Sequence, residues 1–226
     1  MKALLFAVTG LLALCAPAMA SSCHLKAVNI NTEWKTMTEQ CLKSMQDQIK
    51  MEVRASLQYL GMASHFSRDF VNRPGFAKLF FDAAGEEREH AMKLIEYLLM
   101  RGELVDKVTN LIDVRSTVRE LTNELRKEWL NGTEALEHAL VMESTVTKSI
   151  RQVIQNCENE PHFNDYHLVD YLSGDFLDEQ YRGHRDLAGK ATTLKKMYDS
   201  HAALGEFIFD KKLLGMDIYA AKVSSC

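Results

Sequence analysis

Leu42, Met45, Ile49, Glu52, Ser56, Tyr59, Ala63 and Phe66 follow one another at intervals of three and four residues. That rhythm is the mark of a helix packing one stripe against partner helices. One member is out of place. Glu52 puts a carboxylate where a core residue belongs, and Tyr59 lies two turns further along the same face. A second stretch repeats the anomaly. No Gly or Pro interrupts the run from Glu86 to Arg101, and Glu87 and His90 stand three apart within it. They share a helical face with Phe76, Phe80, Ala83, Leu94 and Tyr97 or Leu98. An acid and an imidazole in such a seam carry a desolvation cost that a partner must offset. A metal ion would do so, and Glu-x-x-His is a known spacing for metals in helical bundles. A buried ion pair, or a histidine bonded to a backbone carbonyl, is the structural alternative.

The chain has 226 residues, 46% of them hydrophobic and 26% charged, with three prolines. This is the composition of one globular domain or a small pair, leaning helical. A formal net charge of -4 without a long basic run argues against nucleic acid as a partner. Lys2 precedes an apolar run from Ala3 to Leu14, too short to span a bilayer, and Ala18-Met19-Ala20 offers small residues for a signal peptidase. Residues 1–20 are therefore expected to be a signal peptide that sends the chain into the secretory pathway, through the endoplasmic reticulum and Golgi lumen, and out of the cell. No later apolar run approaches membrane length, so no membrane contact is expected of the mature form.

After an extension over 21–38, a domain over 39–215 divides into helices. Asn72-Arg73-Pro74-Gly75 is a turn, with Pro placed where a helix can begin. The second helix runs from about Pro74 to Arg101, and Gly102 closes it. The long connection from Glu103 to Lys127 suits a crossover along the bundle that leaves the third helix parallel to the second; a separate exposed helix is the alternative. Asn131 caps the third helix, with Glu134 three residues on. Its seam reads Leu136, Ala139 or Leu140, Val146, Ile150, and Val153 or Ile154, with Glu143 among them. Asn131-Gly132-Thr133 is also an N-glycosylation sequon. A fourth helix is expected from about Phe163 to Tyr198, with Tyr166, Val169, Leu172, Phe176, Leu187, Ala191 and Leu194 on one side and Gln180 in the seam. A short amphipathic segment from Leu204 to Leu214 follows, then a tail over 216–226. The expected fold is all-α.

Each of four helices thus carries polar residues in its seam: Glu52; Glu87 with His90; Glu143; Gln180. Three carboxylates, one imidazole and one amide oxygen suit iron or manganese better than a closed zinc site. The chain resembles heavy-type ferritin subunits, and more narrowly the secreted ferritins of insects. The matching stretches are Met51-Glu52-Val53 through Tyr59-Leu60, Glu86-Glu87-Arg88-Glu89-His90-Ala91, Leu140 through Glu143, Phe176 through Gln180, and Glu206-Phe207-Ile208-Phe209-Asp210-Lys211.

The resemblance implies a ferritin-like four-helix bundle with a long crossover between helices two and three and a short fifth C-terminal helix. It also implies a di-iron ferroxidase centre in which Glu52 and His90 bind one iron, Glu87 bridges both, and Glu143 binds the second with Gln180 nearby. Tyr59 matches a tyrosine bonded beside that centre. The implied reaction is oxidation of Fe(II) by oxygen, for iron storage and detoxification, with ferric mineral laid down in a 24-subunit cage shared with a light-type chain. Glu86 and Glu89 match nucleation acids, though Met92 stands where a third is common, and Asp165 is assigned to a channel. The general di-iron pattern has a second Glu-x-x-His, whereas Gln180 and Gly183 stand there in this chain. A neutral amide without an imidazole should hold a second iron weakly.

Once the signal peptide and Cys15 are removed, Cys23, Cys41, Cys157 and Cys226 remain, and no Cys-x-x-Cys occurs among them. At 1.5 Å per residue, Cys41 and Cys157 lie about 16 and 21 Å from the level of Glu52 and Glu143. With antiparallel first and third helices they reach the same end, which predicts a Cys41–Cys157 bridge and leaves Cys23 to bond another subunit. His65, His138, His184 and His201 are expected on helix surfaces or ends. Two other readings compete with the ferroxidase: a non-catalytic shell subunit, and another di-iron enzyme on the same bundle.

Overall fold

The computed structural model describes residues 34–103, 111, 128–158 and 164–216. Helix α1 (Glu39–Ser67) starts at Thr38, whose hydroxyl accepts the Cys41 amide at 3.3 Å. The chain then turns through Asn72, which takes a left-handed φ of 46°, a conformation that Asn tolerates better than most residues. Pro74 opens α2 (Pro74–Met100), and Gly102, at φ 74°, follows its end. Helix α3 (Gly132–Glu158) begins as its sequence predicts: Asn131 Oδ1 accepts the Glu134 amide, and Glu134 reaches back to the Leu130 amide. The crossover falls almost wholly outside the described residues, as do residues 1–33 with the expected signal peptide and Cys23, and the tail with Cys226.

The fourth column departs from a single regular helix. It comprises α4 (Tyr166–Tyr171), a π-helical turn (Leu172–Phe176) and α5 (Leu177–Leu213) in continuous succession. The π turn shifts the register, so the face read from Tyr166 to Leu194 is not one stripe. Leu168 and Leu172 are buried, whereas Tyr166 is 75% exposed. Helix α5 breaks at His201 and Ala202, which sets off the expected short C-terminal segment.

Two buried carboxylates pin that segment to the bundle. Asp210 Oδ1 accepts the amides of Gly75 (2.7 Å) and Phe76 (3.1 Å) at the start of α2. Glu206 pairs with Arg73 at 2.9 Å and accepts the Gly132 amide at the start of α3 at 3.0 Å. Each acid therefore meets the electropositive end of a helix. Approach is so close at Gly75 that a Cβ there would lie 1.9 Å from the Asp210 carbonyl oxygen.

The core has two apolar halves. One gathers Met45, Ile49, Leu94, Ile150, Leu168 and Phe176; the other gathers Met62, Phe66, Phe76, Phe80, Leu136 and Phe209. The expected Cys41–Cys157 disulfide closes the first half, joining the start of α1 to the end of α3 across 116 residues. These helices are thus antiparallel. No helix among the described residues is long and apolar enough to cross a membrane.

Replacing Asp210 with Ala leaves two amides at the start of α2 buried without their acceptor. We expect a loss of about 2–4 kcal/mol in denaturant unfolding, with Asp210→Asn, which keeps an acceptor oxygen, losing less. Equal stability of all three proteins would contradict this account.

Candidate metal centre

Between the two apolar halves, α1 and α2 bring Glu52, Glu87 and His90 together. They are 0%, 3% and 6% exposed, and one potential ligand atom from each lies within 4.8 Å of the others. Helical spacing accounts for this: Glu87 and His90 share one face of α2, and Glu52 faces them from α1. Glu52 Oε2, Glu87 Oε2 and His90 Nδ1 are buried without a hydrogen-bond partner. Orphaned buried acceptors are rare and costly. Three residues that each carry one and converge make a site whose unmet need is a cation, so the residues fit a metal ion.

The acids show the strain of that burial. Desolvation first, then the Glu143 and Glu86 charges, raise the Glu87 pKa from 4.5 to about 8, against a lowering hydrogen bond with Glu52. Glu52 is also raised well above the carboxylate range, by burial first and then by Glu87. Two buried carboxylates in contact cannot both ionise cheaply without a positive partner. Glu143 is half-buried and accepts a hydrogen bond from the Tyr59 hydroxyl. Burial, followed by the Glu143 charge, pushes the Tyr59 phenol well up, which keeps it a donor at neutral pH. Glu87 therefore lies between Glu52 and Glu143. Gln180, only 5% exposed, accepts the Thr147 hydroxyl at 2.9 Å.

Three neighbours escaped sequence reasoning. Gln48 donates to Glu52 Oε1 at 2.7 Å; its place one turn before Glu52 was the available signal. Glu179 Oε2 lies 3.3 Å from His90 Nε2, on the wall of a groove of about 800 Å³ that also includes Lys93, Tyr171 and Gly174. Thr147 lies one turn after Glu143 on α3, but an ordinary threonine gives no signal.

Other expected residues fall as follows. Glu86 and Glu89 are exposed. Gly183 is exposed on the groove rim rather than held in the seam. Asp165, expected at a channel, is 3% exposed within the subunit, pairs with Arg101 at 2.8 Å and caps α4 through the Leu168 amide. Nor are the spare histidines all superficial. His65 is buried beside Trp129, half-buried His138 accepts the Trp129 indole N–H, and half-buried His184 touches Thr147. Aromatic packing at the end of α1 and one extra turn of contact beside Gln180 account for these positions. His201 is exposed at the break in α5.

A four-column bundle with an acid–histidine cluster at mid-height is the architecture of ferritin-like metal proteins, and comparison with known proteins agrees. The ferritin-like domain profile matches residues 42–197. The ferritin heavy chain of Papilio xuthus is 66% identical over 218 residues, covering 96% of this chain and all of that one. That of Drosophila melanogaster is 54% identical over 191 residues, 84% of this chain and 89% of its own. The crystal structure of Trichoplusia ni secreted ferritin superposes with a TM-score of 0.81 at 65% identity, covering 88% of this chain and all of that chain. The chain belongs to the ferritin family.

A carboxyl whose pKa is raised on folding stabilises the fold below its unfolded pKa, and that contribution is lost as pH rises through the folded value. For Glu87 the window runs from about 4.5 to about 8. In metal-free protein, Glu87→Gln should therefore gain stability over wild type steadily across that window, because Gln has no proton to lose. Thermal unfolding at successive pH values measures the gap; parallel curves would contradict the assignment.

Proposed function

We propose that the chain is a catalytic iron-storage subunit, which takes up Fe(II) as substrate within the bundle and oxidises it with dioxygen. The observation that carries this reading is the convergence of three orphaned, buried donor atoms on Glu52, Glu87 and His90. A subunit that only built a shell would have no use for so costly an arrangement.

In this reading Glu52 and His90 hold one Fe(II), Glu87 bridges to a second, and Glu143 with Gln180 holds that second ion. Iron entry displaces the proton shared by the buried acids, so uptake releases protons. Two Fe(II) ions would together give two electrons to one dioxygen, reducing it with two protons to hydrogen peroxide, and the carboxylates would stabilise the added positive charge on Fe(III). Tyr59, fixed as a donor, holds Glu143 in place. Ferric iron then leaves for mineral, with exposed Glu86 and Glu89 as nucleation acids.

The product needs an enclosed volume, and support for that comes from the family rather than from one subunit. We infer a 24-subunit cage of homologous chains, including a light-type partner. The buried Cys41–Cys157 disulfide suits an oxidising compartment. Together with the secreted ferritin among the relatives, it supports a secretory or extracellular location. Asn131 remains a candidate glycosylation site, although its Oδ1 is engaged as a helix cap.

Aerobic Fe(II) oxidation by the assembled protein tests this. Rapid oxidation in wild type should fall by about 100-fold or more in Glu52→Ala, His90→Ala with the assembly intact, as for loss of metal ligands and their support. Equal slow rates in both would make the chain a non-catalytic shell subunit.

A further inference from the structure

The two halves of the centre differ in readiness. Glu52 Oε2, Glu87 Oε2 and His90 Nδ1 have no hydrogen-bond partner, whereas Gln180 on the other side offers a single oxygen that is already engaged. Glu143 is bonded to Tyr59, and Gln180 Oε1 accepts from Thr147 Oγ1 at 2.9 Å. Thr147 is itself held: its Oγ1 lies 3.0 Å from His184 Nε2. A hydroxyl has one proton. If that proton goes to Gln180, the contact with His184 requires the imidazole to donate from Nε2. A directed chain results, from His184 to Thr147 to Gln180. Thr147 is 8% and Gln180 5% exposed, so neither bond has water as an easy substitute.

We propose that Thr147 is a positioning residue that weakens the second metal position by holding the Gln180 carbonyl. The Gln180 oxygen has a second lone pair, so a metal arriving beside Glu143 shares it with the Thr147 hydroxyl, which draws electron density from the oxygen and holds the amide in its present orientation. Turning the amide toward the metal breaks a buried hydrogen bond, which is costly. The first position faces no such neighbouring donor at Glu52 Oε2, Glu87 Oε2 or His90 Nδ1 and has only the proton kept by its own acids to displace. The consequence is a graded site, with one cation bound firmly and a second bound loosely enough to leave. This inference rests on the iron-binding reading above but assigns a role to residues that reading does not use.

The test is anaerobic Co(II) titration of the assembled protein by calorimetry, with visible absorption reporting coordination. Thr147→Val keeps the side-chain shape and removes the hydroxyl. It should tighten the second Co(II) about tenfold and leave the first unchanged, within the range by which outer contacts tune metal sites. Thr147→Ser, which restores the hydroxyl, should behave as wild type. The gain should vanish when Gln180→Leu is added to Thr147→Val. A second dissociation constant that is unchanged or larger in Thr147→Val overturns the proposal, as does a gain that survives Gln180→Leu. If Glu52→Ala, His90→Ala binds as much Co(II) as wild type, the bundle is not the metal site and the iron-binding reading fails with it. This direction of effect separates positioning from mere damage, because a disturbed fold would weaken the site.

Discussion

The placement of Glu52 against Glu87 in a dry layer, with His90 at its side, is the interaction on which the other features depend. Two carboxylates of this kind are repulsive and desolvated, and the bundle must hold them despite that. It does so by sandwiching them between two apolar halves. Met45, Ile49 and Ile150 lie on one side, and Phe66, Phe76 and Phe80 on the other. Hydrophobic burial above and below supplies what the polar layer costs. Without a cation the layer compromises by retaining a proton, with Glu87 shifted to about 8. The same energetic tension makes it a receptor for positive charge.

Rigid ends maintain this tension. The Cys41–Cys157 bridge ties α1 to α3 at one end. At the other, Asp210 and Glu206 tie the C-terminal segment to the starts of α2 and α3. Helices fixed at both ends cannot easily splay to admit water to the acids in the middle. The surrounding polar residues then tune individual atoms. Gln48 occupies one oxygen of Glu52 and leaves the other free, while Thr147 occupies the oxygen of Gln180.

Periodicity made much of this legible. A carboxylate at 52 in a three-four series, and Glu87 with His90 three apart, mark the buried acids because the helical repeat alone decides which residues face inward. The disulfide followed from counting helical rise, and the cap at Asn131 from side-chain chemistry. What escaped depends on departures from regularity. The π turn at Leu172–Phe176 moves Tyr166 outward and Leu168 inward, which a constant repeat cannot anticipate. Asp165 looks like a free acid until Arg101 is folded against it. Thr147 and His184 act through contacts between helices, and their spacing within either helix is unremarkable.

The most direct test is anomalous diffraction from crystals of the assembled protein soaked anaerobically with Fe(II), recorded at the iron edge. The account predicts a strong peak bounded by Glu52 Oε2, Glu87 and His90 Nδ1, with a weaker one beside Glu143. Iron found only elsewhere, with no peak among these three side chains, would contradict it and leave the buried acids without a ligand.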